Sequence, residues 1–371
     1  MESLDVFTQD ELDDALARPD VIPVCAGDGA FVVTGDHFVR AADSAQVTVR
    51  DRVAVEAGGS TTVVATDRTN VRALHTATVE ASGVARVSAG DRVFVRARER
   101  ANVRATTYSV VEAADAATVT VTARATVRAT DACRVRALGS AHVTVSGEAH
   151  VWAWGRAVVT ALDASAIEAW GSAVVMATGS GTVEAREYAV VTAGGSVRVR
   201  AFGATMVRAR GRAQIEAADE VAITRHSLAV TVSGGQVTDA VRFATAQQWC
   251  DYYGVEVDDG VATLFKAVDE DFNSYHGMSY RPGTEPRAPD WDGGERECGG
   301  GLHFSPRPTF ALPRPTDSMR FVACPVRLED IVVFPQGDYP DQVKAPAVCA
   351  PVYEVDEDGT PVEPGAAATQ S

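Results

Sequence analysis

The central part of the chain repeats one pattern of apolar and polar residues every eight residues. In the frame that starts at His37, the third residue is Val or Ile in all 24 units up to residue 228, and the fifth is Ala or Val in 23 of them. The first residue is mostly small and apolar, whereas the second and fourth vary freely, as in Arg134 and Arg136. Alternation with period two over five residues predicts a strand with one buried face.

The last three residues of each octad are rich in Gly, Asp, Ser and Thr, which favour turns. One strand and one turn cannot bury a face alone, but stacked copies can, because each strand pairs with the strands above and below it. No proline occurs between Pro23 and Pro282, and this agrees with uninterrupted strand ladders. We therefore predict a mainly β protein with an octapeptide-repeat β-solenoid over residues 37–236.

Large apolar residues at the sixth position of the octad indicate how many octads form one turn of the solenoid. They are Leu74, Leu138, Trp154, Leu162, Trp170 and Phe202. With two octads per turn, one edge carries the column Leu138, Trp154, Trp170, Arg186 and Phe202. Three octads per turn would scatter these side chains over different edges. We therefore predict sixteen residues per turn, with three octads per turn as the alternative.

The segments on either side of the repeats predict short helices that cap the solenoid. In residues 1–36, Thr8 and Glu11 form a capping-box pattern ahead of Leu12 and Leu16. In residues 237–259, a second helix is predicted to start at Thr245 and to end near residue 254. Open solenoid ends would otherwise template further strands.

From about residue 260 the repeat is lost, and Pro, Gly and aromatic residues become frequent. Strands are predicted at Val261–Val268 and Arg320–Leu328, and one or two more within Val343–Val355. Residues 260–355 therefore predict a small α+β or mostly β domain. The composition of residues 356–371, with Pro, Gly, Ala and Thr, predicts a disordered tail.

Charge and cysteine content describe the compartment and the partners that we expect. Residues 37–236 hold 18 acidic residues and 23 arginines, whereas both flanking segments are acidic, and the chain has a net charge of −16. We expect a cytoplasmic protein, because we find neither a secretory signal nor a membrane-spanning apolar run, and because the chain has too few cysteines for a disulfide scaffold. The six cysteines are Cys25, Cys133, Cys250, Cys298, Cys324 and Cys349.

The C-terminal segment carries a set of short motifs that resembles a known family. The motifs are Tyr280-Arg281-Pro282-Gly283, Cys298-Gly299-Gly300-Gly301-Leu302-His303-Phe304-Ser305, Arg320-Phe321-Val322 and Val343-Lys344-Ala345. Over residues ~262–355 they resemble an uncharacterised bacterial and phage domain family with a Tyr-x-x-Gly motif, a Cys-x-x-Gly-Leu-His-Phe core and a late Lys. Its members often follow repeat-containing segments. The resemblance implies no activity, and it does not include the octads.

Three interpretations of this domain remain open on the sequence. Cys298, His303, Cys324 and Cys349 have the composition of a zinc site, although only the first two are close in sequence. The glycine run is also similar to the glycine-rich strand of ADP-ribosyltransferases. That similarity implies NAD as substrate, with His303, Tyr280 and Glu354 as candidate catalytic residues. The third interpretation is a binding module without cofactor, in which His303 is a structural histidine and the glycines form a tight turn.

Outward positions of the octads supply two candidate surfaces on the solenoid. With sixteen residues per turn, one face carries Arg40, Arg72, Arg86, Arg104, Arg134, Arg136, Arg198 and Arg200, together with Glu56, Glu168, Glu184 and Glu216. The other face carries Arg96, Arg128 and Arg208. This bias is more typical of solvated or cross-strand paired charges, with weak nucleic-acid binding along the arginine-bearing face as the alternative.

The edge column is the stronger candidate for a contact surface with an unknown protein partner. Its members are Leu138, Trp154, Trp170 and Phe202, with Trp152 beside them on the face. Exposed neighbouring tryptophans are typical of contact surfaces, although a terminal domain folded over them is an alternative. We expect a non-enzymatic scaffold in which the solenoid presents the C-terminal domain to this partner, without membrane or nucleic acid.

Overall fold

The computed structural model describes residues 2–297, 299–311 and 320–362. Strands hold 43% of the residues and helices 6%, so the mainly β class and the β-solenoid of about 15 turns are confirmed. The chain forms two compact units, which are described separately below. The first comprises Met1–Ile223 and Thr231–Gln236, and the second comprises Thr224–Val230 and Val237–Ser371.

Each octad forms one strand of four residues. Further strands precede and follow the octads, and all strands are numbered in chain order. They are β1 Glu2–Val6, β2 Val21–Cys25, β3 Ala30–Val33, β4 Phe38–Ala41, β5 Gln46–Val49, β6 Ala54–Ala57, β7 Thr62–Ala65, β8 Asn70–Ala73, β9 Thr78–Ala81, β10 Arg86–Ala89, β11 Phe94–Ala97, β12 Asn102–Ala105, β13 Val110–Ala113, β14 Thr118–Val121, β15 Thr126–Ala129, β16 Arg134–Ala137, β17 His142–Val145, β18 His150–Ala153, β19 Val158–Ala161, β20 Ala166–Ala169, β21 Val174–Ala177, β22 Thr182–Ala185, β23 Val190–Ala193, β24 Arg198–Ala201, β25 Met206–Ala209, β26 Gln214–Ala217, β27 Ala222–Arg225, β28 Thr231–Ser233 and β29 Gln236–Asp239.

The strands stack into two parallel sheets, and the register explains the spacing of the repeat. Val119 pairs with Val135, and Val135 pairs with Val151, so each strand lies beside the strand sixteen residues further along the chain. This offset requires two octads in each turn. One sheet, with 15 strands, includes the even-numbered strands from β2 to β28, and its outer surface is called face A below. The other, with 14 strands, carries face B.

Valine and alanine fill the space between the two sheets. Val127 and Ala129 of one sheet, and Val135 and Ala137 of the other, are all at most 2% exposed. Removing one valine side chain from water contributes roughly 1.5–3 kcal/mol, and the ladder repeats this contribution in every strand. The small alanine lets the two sheets approach closely.

The turns between strands have a regular conformation at the seventh octad position. Every residue at this position from Asp43 to Gly211 has a positive φ. Wherever the residue is Asp, Glu or His, its side chain accepts a hydrogen bond of 2.8–3.3 Å from the backbone N–H sixteen residues earlier. These residues are Asp43, Asp51, Asp67, His75, Asp91, Glu99, Asp115, Asp131, Asp163 and Glu187. The hydrogen bond offsets the strain of a left-handed backbone, which otherwise favours glycine.

Helix α1, Gln9–Leu16, begins at the predicted capping box. The side chain of Thr8 accepts a hydrogen bond from the N–H of Glu11, and the Glu11 carboxylate accepts one from the N–H of Thr8. The helix buries Leu12 and Ala15. The side-chain amide of Gln9 forms two hydrogen bonds with the backbone of Val32, at 2.8 and 3.1 Å. Since Val32 lies in β3, the terminal strand of the 14-stranded sheet, this amide occupies backbone groups of an edge strand.

The second unit contains helix α2, Ala246–Tyr253, with Thr245 as its N-cap residue and Gly254 in the left-handed conformation after it. Its strands are β30 Val257–Asp258, β31 Val261–Val268, β32 Leu302–Phe304, β33 Arg320–Arg327, β34 Val332–Val333, β35 Val343–Ala345 and β36 Tyr353–Val355, with short 3₁₀ helices at Pro308–Phe310 and Leu328–Asp330. They form an antiparallel sheet of four strands and a smaller one of three.

The core of the second unit contains large side chains that differ from position to position. Trp249 of α2 is fully buried, and its indole N–H donates to the carbonyl oxygen of Pro340 at 3.0 Å. Tyr280 and Phe304 are each 1% exposed and belong to the same apolar cluster. This unit is therefore held by specific packing instead of a repeated ladder.

The end of the described chain forms a turn instead of continuing without structure. The Asp356 carboxylate accepts hydrogen bonds from the N–H groups of Asp358 and Thr360, and Val362 donates its N–H to Glu354. The predicted disordered tail thus begins in a hydrogen-bonded turn, and residues 363–371 lie outside the described residues. No described helix is long and apolar enough to cross a membrane.

Candidate functional site

The edge column forms a continuous surface feature of the solenoid. The rings of Trp154 and Trp170 stack with a centroid separation of 5.0 Å and an interplanar angle of 7°. On the following turns, the Arg186 guanidinium lies 5.1 Å from the centre of the Phe202 ring. Leu138 and Phe202 are 37% and 40% exposed, whereas the two tryptophans are partly buried. We call Leu138, Trp154, Trp170, Arg186 and Phe202 the aromatic edge column.

Trp152 lies on face A, where it contacts a different set of residues. Its ring stacks on the His150 ring, with centroids 4.0 Å apart, and the Arg136 guanidinium lies 5.8 Å from its centre. His150 is also 3.1 Å from a carboxylate oxygen of Glu168. Trp152 therefore belongs to a polar and basic surface and not to the aromatic edge column.

The glutamates of face A contact neighbouring arginines or, for Glu168, a histidine. Glu56 lies 3.2 Å from Arg40 and 3.4 Å from Arg72, which are on the adjacent strands. Glu168 contacts His150, Glu184 contacts Arg186, and Glu216 contacts Arg200. These pairs are exposed or half-exposed, so each contributes at most about 1 kcal/mol to stability. They nevertheless neutralise most of the acidic charge on this face.

In the second unit, His303 and Tyr280 flank a buried amine. Lys266 donates a hydrogen bond of 2.9 Å to the backbone carbonyl of His303, and its Nζ lies 5.7 Å from the centre of the Tyr280 ring. Burial lowers the pKa of Lys266 to about 8 and raises that of Tyr280. Burial also lowers the pKa of His303, whose Nε2 lies 2.6 Å from the carbonyl oxygen of Glu297. His303 thus has the contacts of a neutral structural histidine.

Glu354, the third catalytic candidate, forms an ion pair with an arginine. Its carboxylate oxygens lie 3.0 and 3.2 Å from Nη1 of Arg320, and the Arg320 guanidinium lies over the Phe272 ring at 4.8 Å. A carboxylate bound in this way is stabilised as the anion and has an occupied hydrogen-bonding face. The contacts of the three candidates thus differ: Glu354 binds Arg320, whereas His303 and Tyr280 contact Lys266.

The glycine run packs against its own chain. A Cβ on Gly300 would lie 1.5 Å from the carbonyl oxygen of Asp290, and one on Gly301 would lie 2.9 Å from the Trp291 ring. The N–H groups of Gly300 and Gly301 donate to the carboxylates of Asp292 and Asp290, each at 3.2 Å. The glycines are therefore needed for close packing inside the domain, and their N–H groups already have acceptors.

Lys344 holds the loop that packs against the glycine run, through contacts with Asp292, Arg296 and Trp291. It is fully buried, and its Nζ lies 2.6 Å from Asp292 Oδ1, 3.2 Å from the carbonyl oxygen of Arg296 and 5.5 Å from the centre of the Trp291 ring. The ammonium holds the pKa of Asp292 below its usual range. The sequence contained only one sign of this contact, the late Lys of the family pattern, and no sign of the buried Lys266.

The proposed zinc ligands do not meet in the part of the chain that can be described. Cys324 is fully buried in the apolar core, and burial raises the pKa of its thiol. Cys349 is partly buried, with its Sγ 3.4 Å from the carbonyl oxygen of Pro325. Cys298 lies outside the described residues. Among the residues described, no group of three or more His, Cys, Asp or Glu side chains is arranged to hold a metal ion.

The fold defines the chain as a β-solenoid protein with a second compact unit. No protein-family model, curated protein or solved structure matches it.

Proposed function

We propose that this chain is a binding scaffold that holds a protein partner along the aromatic edge column and presents its C-terminal unit beside that partner. The observation that carries the proposal is the set of large apolar side chains aligned on one edge, with Leu138 and Phe202 more than a third exposed. Large aromatic side chains in a row are the kind of anchor that protein interfaces bury. The hydrogen-bonded ladders support the proposal because they hold these side chains in fixed positions.

The end of the solenoid at helix α1 is consistent with this function. We propose that α1 protects the terminal strand of the 14-stranded sheet from pairing with another chain, since the Gln9 amide occupies the backbone groups of Val32.

We also propose a reducing, cytoplasmic location. The free cysteines among the described residues support it: they are Cys25, Cys133, Cys250, Cys324 and Cys349.

The enzymatic alternative receives less support from the geometry. An ADP-ribosyltransferase-like site would need space beside the glycine run and a free catalytic carboxylate. Gly300 instead packs on Asp290, and Glu354 binds Arg320. We therefore place the binding function first and assign no cofactor.

Site-specific photo-crosslinking tests the proposal. A photoreactive phenylalanine analogue replaces Phe202 in one variant and Phe94, an outward aromatic residue of face B, in a control. We expect one discrete protein crosslink at position 202 and none at position 94. The double substitution Trp154→Ala/Trp170→Ala should abolish the crosslink at position 202 while leaving the circular dichroism spectrum unchanged. Absence of any crosslink at position 202, or equal crosslinking at both positions, would contradict the proposal.

A further inference from the structure

Face A carries no acidic side chain over six consecutive strands, from Asn70–Ala73 to His150–Ala153. The outward residues on these strands alternate with buried ones. They are Asn70, Arg72, Arg86, Ser88, Asn102, Arg104, Thr118, Thr120, Arg134, Arg136, His150 and Trp152. All the hydrogen-bonding side chains in this region are therefore basic or neutral.

The turns that follow these strands extend the same charge onto the adjoining edge. They add Arg92, Arg124 and Arg156, and they contain one acidic residue, Asp91. The Asp91 carboxylate accepts a hydrogen bond from the N–H of His75 at 3.0 Å. Face A and this edge thus hold eight arginines and one aspartate between residues 70 and 156. Face B and the opposite edge hold four arginines and six acidic residues over the same interval.

Four of the five arginines on face A between residues 70 and 156 are available to bind an anion. Among the described residues, Arg86, Arg104, Arg134 and Arg136 form no salt bridge, whereas the arginines nearer the two ends of face A include several paired with glutamate. All four are exposed. We call these four arginines, with Trp152, the basic strip. Unpaired guanidinium groups on a rigid surface repel one another, and a bound anion reduces this repulsion.

Aromatic rings lie within and beside the basic strip. Trp152 stacks on His150 next to Arg136, and Tyr108 is 53% exposed on the adjoining edge. Proteins that bind single strands combine a positive surface that follows the phosphates with rings on which bases stack. A duplex keeps its bases stacked internally and gains nothing from such rings. A simple polyanion has no bases to stack.

We propose that the basic strip binds single-stranded nucleic acid. The strip runs from the strand of Arg86 to the strand of Trp152, and four spacings of ~4.8 Å make it about 19 Å long. At about 3.4 Å per nucleotide, this accommodates roughly six nucleotides of a stacked strand. The arginines contact phosphates, while Trp152 stacks on a base at one end. The whole chain has a net charge of −16 and its acidic excess lies in the segments that flank the repeats, so repulsion disfavours nucleic acid on those segments. The adjoining edge also carries the aromatic edge column, since Trp154 and Arg156 lie in one turn, so the two proposals concern neighbouring surfaces and are separated by the variants below.

Fluorescence anisotropy of the full chain with a fluorescein-labelled 20-nucleotide oligo(dT) tests the proposal. We expect a Kd of about 1–100 μM near physiological salt, tightening on dilution of salt. With about four phosphates neutralised, log K should fall against log salt with a slope of about −3. A 20-base-pair duplex and inorganic polyphosphate of equal charge should bind at least about fivefold more weakly.

Variants assign the binding to the strip. Arg104→Glu/Arg134→Glu/Arg136→Glu should weaken oligo(dT) binding by at least about 30-fold. Arg50→Glu/Arg52→Glu/Arg68→Glu makes the same change in charge on the opposite edge and should weaken it less than about threefold. Trp152→Ala should weaken single-strand binding about tenfold through lost base stacking, whereas Phe94→Ala on face B should not. Circular dichroism checks that each variant is folded.

Three results would overturn the inference. The first is no binding of oligo(dT) at 50 mM salt. The second is equal loss of affinity in the two triple variants, which would mean that only net charge matters. The third is equal or tighter binding of the duplex or the polyphosphate, which would assign the strip to double-stranded nucleic acid or to polyanions in general. None of these outcomes depends on the Trp154→Ala/Trp170→Ala variant, so the two proposals can fail separately.

Discussion

The solenoid and the C-terminal unit reach stability by different routes, although both are built mainly of strands. In the solenoid, most strands repeat a valine and an alanine at the same two positions, and each side chain interacts mainly with its counterparts one turn away. In the C-terminal unit, Trp249, Tyr280 and Lys344 each occupy a unique site with partners distant in sequence. Repetition thus spreads stability over many equivalent contacts, whereas the second unit concentrates it in a few side chains.

The largest effect should follow from removing a unique core side chain. Trp249→Ala should destabilise the C-terminal unit by about 3–5 kcal/mol, because it leaves a large cavity and an unpaired carbonyl at Pro340. Val135→Ala in the solenoid should cost only about 2 kcal/mol, because it removes two methyl groups from one of many equivalent layers. Urea unfolding followed by circular dichroism measures both. Equal costs would show that the two regions do not differ as described.

A somewhat smaller effect should come from the Lys344–Asp292 pair. Asp292→Ala should destabilise the C-terminal unit by about 3 kcal/mol, since it leaves the buried ammonium of Lys344 without a counter-ion. The double variant Asp292→Ala/Lys344→Met should recover most of this loss, because no buried charge remains. Urea midpoints of the two variants and of Lys344→Met alone give the comparison. A double variant as unstable as Asp292→Ala would mean that packing of the loop, and not the charge, is what matters.

Buried Lys266 should make the stability of the C-terminal unit rise between pH 8 and 9. Its pKa falls from 10.5 to about 8 on folding, so the unfolded state binds more protons above pH 8 and stability rises with pH there. From pH 8 to 9, wild type should gain up to about 1.4 kcal/mol relative to Lys266→Met. Above pH 9 the buried Cys324 thiol acts in the opposite direction, because its pKa is raised by burial. If the free energy of unfolding changed in parallel with pH for wild type and Lys266→Met between pH 8 and 9, the assignment of this pH dependence to Lys266 would be contradicted.

The smallest effect should appear in the turns of the solenoid. Asp115 has a φ of 61°, and its carboxylate accepts the N–H of Glu99 at 2.9 Å. Asp115→Ala keeps the left-handed strain and loses the hydrogen bond, so it should cost about 1 kcal/mol. Asp115→Gly loses the hydrogen bond but relieves the strain, and its cost should be close to zero. Thermal unfolding distinguishes the two, and a glycine variant less stable than the alanine variant would contradict this explanation of the turn.

The edge column and the basic strip both follow from the octad frame. The octad frame alone aligned Trp154 with Trp170 and placed Arg104 and Arg136 on one face, because parallel in-register pairing turns a sequence period into a spatial column. The same register sets which arginines have an acidic neighbour. Glu56 lies beside Arg40 and Arg72, whereas Arg104 lies between Ser88 and Thr120. The structure adds the contact distances of 3.2 and 3.4 Å from Glu56 to the two arginines.

In the C-terminal unit, the sequence located single elements but not the contacts between them. Its helix at Ala246–Tyr253 and its strand at Val261–Val268 follow from local patterns. Contacts such as Glu354–Arg320 and Gly300–Asp290 could not be predicted, because they join segments with no shared period.

The sequence by itself determined the β-solenoid and its buried valine and alanine positions, since the repeat sets which side chains alternate inward. The tertiary structure excluded the alternative of three octads per turn through the register of the strands, and it alone decided where Lys344 and Lys266 are buried and why the glycines cannot be replaced. The physical reason is that a repeat encodes its neighbours by distance along the chain, whereas a non-repeating core depends on long-range packing that no local pattern records.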